Sequence, residues 1–251
     1  MKNEITDIQP YLPKAAFLVT FLTLCFLLFY IALPLEIRAE TKAIPGVMTG
    51  FQNWYAKIDT LFAHFNQVTF NPSWGEEEEA GGEFWFKKPG LMKWQYRFPQ
   101  QDVIIINEKG FFWYVPDDRQ LIKREKDEAF KMISPMSILG ENMQLERDFE
   151  IVSMEEILEE SIEGMDQEKP SRGFAIYLRP RNPQVAARQI KVEVRAGDFA
   201  LGAIEVEETS GNRNRIEFHD LQPGRSVSPD IFVFTPPPET KVISPEDFPS
   251  W

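Results

Sequence analysis

From about residue 65 the chain breaks into short strand-type runs separated by Gly, Pro and Asn, and that punctuation restricts it to an antiparallel sheet. The run HFNQVTF leads through the acidic tract Glu76–Glu79 to GGEFWFKKPGLMKWQY, two arms crowded with aromatics around a Lys-Lys-Pro-Gly turn. DVIIINEKGFFWYV follows, with Asn107-Glu108-Lys109-Gly110 as its turn. Later come GFAIYLRP, QIKVEVR, ALGAIEVEE, RNRIEFHDL and IFVFTPP, with turns at Ala196-Gly197-Asp198 and Ser210-Gly211-Asn212. Their even spacing predicts a meander. The acidic tract predicts a solvated hairpin loop, because adjacent Glu side chains point in different directions and do not converge as metal ligands must. Residues 155–172 predict an exposed hairpin tip or loop, and the proline-rich end an irregular tail.

Strand parity sorts the faces. In KWQYRF, Trp94, Tyr96 and Phe98 alternate with Lys93, Gln95 and Arg97. In Val103–Ile106 and FFWYV the alternation fails, which predicts strands covered on both sides. The concave side of such a sheet needs cover from helices, a ligand or both. Residues 44–66 offer it: Ile44, Val47, Phe51, Trp54, Tyr55, Ile58, Leu61, Phe62 and Phe65 recur at helical spacing. The pattern predicts an amphipathic helix that serves as core or as a lid. One or two short helices are predicted over 126–145, where Ser134-Pro135 resembles a helix start and Gly140 a stop.

Residues 15–35 are uncharged and apolar, longer than the roughly 7–15 residues of an ordinary signal core and long enough to span a bilayer. Residues 1–39 are therefore either a signal peptide or an N-terminal membrane anchor, and both place the remainder outside the cytoplasm. Residues 40–243 form the exported domain and 244–251 an irregular tail. Cys25 is the only cysteine and lies inside the apolar run, after Leu24, without the small residues that precede a lipidated cysteine. Disulfides, cysteine-based metal sites and thiol nucleophiles are excluded from the exported part. The net charge of −12 opposes nucleic acid and anionic headgroups as partners. His64 and His219 are isolated in sequence, and no nucleophile, phosphate-loop or metalloprotease motif is present. An Asp/Glu-dependent hydrolase is the one enzymatic class left open. The 21 phenylalanines point to aromatic packing or apolar ligands.

The order of these pieces, from the helix ending in HFNQ through the Gly-x-(aromatic)-x-x-K-x-P turn, NEKGFFWYVPDD and SPMSIL to FVFTPPPETKV, resembles the LolA-like carriers of outer-membrane lipoproteins over about residues 50–243. The resemblance implies an α+β, mainly β fold: a strongly curved antiparallel sheet, an unclosed β-barrel, with a short-helix lid over an apolar cavity. It implies a monomeric periplasmic carrier without cofactor or metal. Such a carrier takes acylated lipoproteins from an inner-membrane lipoprotein-releasing transporter to an outer-membrane receptor. Parity places Met92, Trp94 and Tyr96 in the cavity wall. Helical spacing and the resemblance add Phe51, Trp54, Ile58 and Leu61 from the lid, Phe84, Phe86 and Phe112 from the sheet, and Phe130, Met132 and Ile138 from a second lid segment. The family holds its empty form closed through an arginine before the turn proline. Lys88 occupies that position here, as a latch or as part of a solvated turn. An anchored lipid- or lipoprotein-sensing domain of the same fold, and a carrier of a non-protein lipid, are the alternatives.

Overall fold

A computed structural model describes residues 44–125, 145–158, 172–182 and 186–243. The N-terminal apolar run, the expected helices at 126–144 with Phe130, Met132 and Ile138, and the tail after residue 243 lie outside the described residues.

Among the described residues, twelve strands form a single sheet. The first six are β1 (Thr60–Asn71), β2 (Glu76–Lys87), β3 (Leu91–Phe98), β4 (Val103–Asn107), β5 (Gly110–Val115) and β6 (Gln120–Arg124). The others are β7 (Phe149–Leu158), β8 (Arg172–Pro180), β9 (Ala187–Arg195), β10 (Leu201–Glu208), β11 (Arg213–Pro223) and β12 (Lys241–Ile243). Their order is β12-β6-β5-β4-β3-β2-β1-β11-β10-β9-β8-β7. The sheet is open and strongly curved, with β12 and β7 at its edges. Each consecutive pair from β1 to β6 and from β7 to β11 is an antiparallel hairpin. Strand β1 joins the two meanders by pairing with β11.

The bend is written into Gly81 and Gly82. The β2–β3 register slips between them. A Cβ on Gly82 would meet the Gln95 carbonyl oxygen at 2.0 Å, and one on Gly81 the Phe65 carbonyl oxygen at 2.9 Å. Only glycine lets neighbouring backbones approach that closely, and the resulting bulge kinks the strand.

The two meanders have different outer faces. In β9–β11, Ile190, Val192, Val194, Ile204, Val206, Ile216 and Phe218 point into the core. Lys191, Glu193, Glu205, Arg215 and Glu217 form an ionic ladder on the opposite face. In β4 and β5 both faces are covered, as the failed alternation predicts. Ile104 and Ile106 enter the core, whereas Ile105 is buried outside that cluster. Outer cover comes from a 3-10 turn, Pro229–Phe232, which lies against β3 and β4 and accepts the Asn107 side-chain amide at the Phe232 carbonyl, 2.8 Å away.

Five boundaries differ from the sequence-based expectation. The first helix, α1, covers Val47–Ala56 and not 44–66. After Ala56 the backbone closes through Lys57 and Ile58, whose N–H groups reach Trp54 and Tyr55 carbonyls. From Thr60 the chain is a strand in which Leu61, Ala63 and Phe65 face inward. Apolar positions three and four apart fit a helix, but Leu61, Ala63 and Phe65 fit a period of two equally well, and pairing with both β2 and β11 decides it. Glu76–Glu79 form the start of β2 opposite Val68–Asn71, so the solvated turn is Pro72–Gly75. Residues 155–158 extend β7, paired with β8. IFVFTPP is not a strand: its first two residues close the 3-10 turn, and the prolines that follow lack ladder donors. Lys241–Ile243, expected to be irregular, pair in parallel with β6. Among the described residues no helix is long and apolar enough to cross a membrane. A short helix α2, Leu145–Asp148, precedes β7 and buries Leu145.

Candidate functional site: an aromatic concave face under a latched helix

The concave face is organised around Trp94. Its ring lies 4.3 Å from Phe84, 4.9 Å from Phe65 and 5.9 Å from Phe218, centroid to centroid. Tyr96 packs edge-on against Phe65 at 5.1 Å, and its hydroxyl donates to the Gln67 side chain at 2.8 Å. Burial raises the Tyr96 phenol well above its ordinary range, with the Asp102 charge adding to it. Phe84, Phe86, Met92 and Trp94 are all essentially inaccessible. The indole N–H of Trp94 is buried with no hydrogen-bond partner among the described residues.

Helix α1 closes over this face by both ends. It begins after Gly46, which holds a left-handed backbone with φ of 87°. Val47, Met48, Phe51 and Tyr55 are its buried residues, and Trp54 stacks on Phe51 while remaining half-buried. Ile58, just past the helix, and Leu61, at the start of β1, are buried in the same core. Toward the helix N-terminus, Gly50 sits against the ring of Phe199, which in turn stacks on Phe174 at 6.2 Å. A Cβ at residue 50 would approach that ring to 2.5 Å, so the missing side chain sets how closely the helix can rest.

At the C-terminal end Tyr55 packs on Phe86, and Lys88 completes the contact. Its ammonium donates to the carbonyls of Tyr55 at 2.9 Å and Ala56 at 3.0 Å and stands 4.8 Å above the Tyr55 ring. The last carbonyls of a helix have no intrahelical donors and carry the negative end of its dipole, so a cation there is doubly favoured. The Lys88 backbone N–H also binds the Asp59 carbonyl at 2.8 Å, tying the β2–β3 turn to the segment that follows the helix. Burial pushes the Tyr55 hydroxyl up to about 12.

Of the expected wall residues, Phe51, Ile58, Leu61, Phe84, Phe86, Met92 and Trp94 meet in one buried cluster, with Trp54 and Tyr96 packed against it. Phe112 does not join them. It lies on the outer face, 6.5 Å from Phe234, with the Lys123 ammonium over its ring. Its neighbour Phe111 takes the core position instead. A run that is apolar on both faces hides its parity, so FFWYV could not disclose which aromatic turns inward. Tyr55 was legible on the helical face, but its packing under Lys88 was not. His64 and His219 face each other across β1 and β11 and are engaged at the surface, with Asp220 and Asn66.

The match to proteins of known family covers the same region. Residues 56–235 match the family model described as outer membrane lipoprotein carrier protein LolA. An outer-membrane lipoprotein carrier protein of Bordetella pertussis is 30% identical over 190 residues, 75% of this chain and 81% of that protein. Its namesake in Methylococcus capsulatus is 28% identical over 178 residues, 71% and 78% of the two chains. Among solved structures, a LolA superfamily protein of Nitrosomonas europaea aligns with 75% of this chain and 97% of its own at a TM-score of 0.41 and 12% identity. The chain belongs to the LolA family of outer-membrane lipoprotein carriers.

Proposed function

We propose that this protein is a periplasmic carrier that holds the acyl chains of lipoproteins against its concave aromatic face. It moves them from an inner-membrane lipoprotein-releasing transporter to a receptor at the outer membrane, as a monomer and without catalysing a reaction. The observation that carries this is the cover: a helix packed on an apolar face and held at its end by one lysine.

The physical need is simple. An acyl chain of about 15 methylenes, at roughly 0.8 kcal/mol each, costs about 12 kcal/mol to expose to water. A diacylated or triacylated protein carries about two or three such chains and requires shielding throughout an aqueous crossing. Release requires that shielding be reversible. A cover that must break contacts to open lowers the apparent affinity for cargo by the free energy of opening, so the latch tunes retention against delivery. Met92 suits the wall because its flexible thioether adapts to chains of irregular shape.

Native mass spectrometry of the protein purified from cells with and without a co-expressed lipoprotein tests the proposal. A complex with the acylated lipoprotein is expected. Recovery free of both lipoprotein and lipid, with the same lipoprotein abundant in the cell, contradicts it.

A further inference from the structure

Beside the aromatic cluster lies a second, polar recess that the shielding of acyl chains leaves unused. Its volume is about 340 Å³, and Gln67, Thr69, Glu78, Tyr96, Asp102 and Trp113 are among its walls. Tyr96 belongs both to this recess and to the Phe65 contact of the interior, so the recess opens directly beside the concave apolar face. Trp113 likewise packs against the core from the inward side of β5.

Asp102 is the unusual wall. It is only 8% exposed. Its Oδ2 accepts the Trp113 indole N–H at 2.7 Å, while its Oδ1 is buried with no donor among the described residues. A buried carboxylate oxygen without a partner is destabilising, and such an atom draws its donor from ordered water or from a ligand. The surroundings define the donor. Glu78 and Glu79 also line the recess, and among the described residues neither Lys nor Arg does. Among the described residues no three such groups converge closely enough to hold a metal ion, so the carboxylates form an anionic surround and not a chelate. Burial raises the Asp102 carboxyl, Trp113 partly offsets that, and the charges of Asp117 and Asp118 raise it further.

We propose that this recess binds a primary ammonium group carried next to the acyl chains of the cargo, with Asp102 Oδ1 as its acceptor. The inference rests on the carrier function proposed above and adds to it the chemistry of the polar end. Two kinds of cargo present this group: a lipoprotein whose lipid-modified N-terminal residue keeps a free α-amine, and a phospholipid with an ethanolamine headgroup.

The test compares dodecylammonium with dodecanoate, measured by competition for binding to the exported protein and its Asp102→Asn variant. Wild type is expected to prefer dodecylammonium at least tenfold, and Asp102→Asn to reduce the preference to about twofold or less while dodecanoate binds as before. An equal preference in both proteins assigns it to the overall negative charge and overturns the Asp102 site, leaving the carrier proposal intact. Failure of both probes to bind overturns the apolar interior as well. A diacylated lipopeptide with a free α-amine, its N-acetyl form and lysophosphatidylethanolamine then separate the sources. Loss of affinity in Asp102→Asn for the free-amine lipopeptide or for the phospholipid identifies the cargo, and loss for neither overturns the site. The indole N–H resonance of Trp113 in the wild-type protein gives a second readout that needs no folded variant. It shifts with dodecylammonium and not with dodecanoate if the ammonium reaches Asp102, and an unmoved resonance contradicts the proposal.

Discussion

The Lys88 ammonium stands within hydrogen-bonding distance of two consecutive carbonyls, Tyr55 at 2.9 Å and Ala56 at 3.0 Å, at the end of the helix that covers the concave face. Two charge-assisted bonds at a partly exposed site are worth about 1–2 kcal/mol together. Lys88→Leu is therefore expected to raise amide hydrogen exchange across Val47–Ala56 about tenfold, to strengthen cargo retention and to slow transfer to acceptor membranes. Lys88→Arg is expected to preserve both exchange and transfer, because a guanidinium can reach the same carbonyls with more donors. Unchanged transfer in Lys88→Leu means that the contact is structural only.

The opposite end of the helix depends on the absence of a side chain. Gly50→Ala would gain about 1 kcal/mol of intrinsic helix propensity, but its Cβ would press on the Phe199 ring at 2.5 Å. The expected net outcome is destabilisation of about 1–2 kcal/mol in thermal or denaturant unfolding. Combining it with Phe199→Ala should recover part of that loss, so the two changes are non-additive. Additive effects would show that Gly50 and Phe199 do not set the helix position.

The outer face of the second meander carries its own pH dependence. Burial alone would raise the Glu193 carboxyl, but hydrogen bonds from Arg215 and Lys191 outweigh it and hold the group below its ordinary value. The Arg215 guanidinium is correspondingly raised, first by its hydrogen bond to Glu193. A carboxyl lowered by folding stabilises the fold above its unfolded pKa and loses that stabilisation as pH falls through the folded value. Stability should therefore drop on acidification below about pH 4.5, the ordinary glutamate value. Glu193→Gln should cost about 1–2 kcal/mol near neutrality and flatten this part of the profile. Asp102 works in the opposite sense: its raised carboxyl favours the fold as pH falls, so Asp102→Asn is expected to be neutral or stabilising at pH 7. Chemical denaturation at a series of pH values measures both slopes.

How much the sequence disclosed varied with the kind of strand. In β3, polar residues alternate with Met92, Trp94 and Tyr96, and parity alone turns these three toward the interior. The Asn107–Gly110 turn and those at residues 196–198 and 210–212 carried their own backbone chemistry and fell where expected. In β5 the residues are apolar on both faces, so Phe112 could not be distinguished from Phe111 without knowing that residues 229–234 cover the outer side. The helix was overextended because residues 58–65 satisfy two periods at once. Asp102 gave no local signal. It sits in a turn between two strands, and its burial depends on Trp113, eleven positions away, reaching back from β5. Lys88 was named as a latch through the family resemblance. Its distances to Tyr55 and Ala56 supply the physical basis that spacing could not.

If acyl chains lie against the concave face, adjacent residues on opposite faces of β5 meet them differently, and one strand provides both test positions. A photo-crosslinking phenylalanine analogue placed at Phe111 points into the core, and at Phe112 toward Phe234 on the outside. After irradiation with an acylated lipoprotein, mass spectrometry should find fragments joined through the acyl chains at position 111 and not at 112. Acyl adducts at Phe112 alone, or equal yields at both positions, contradict the claim.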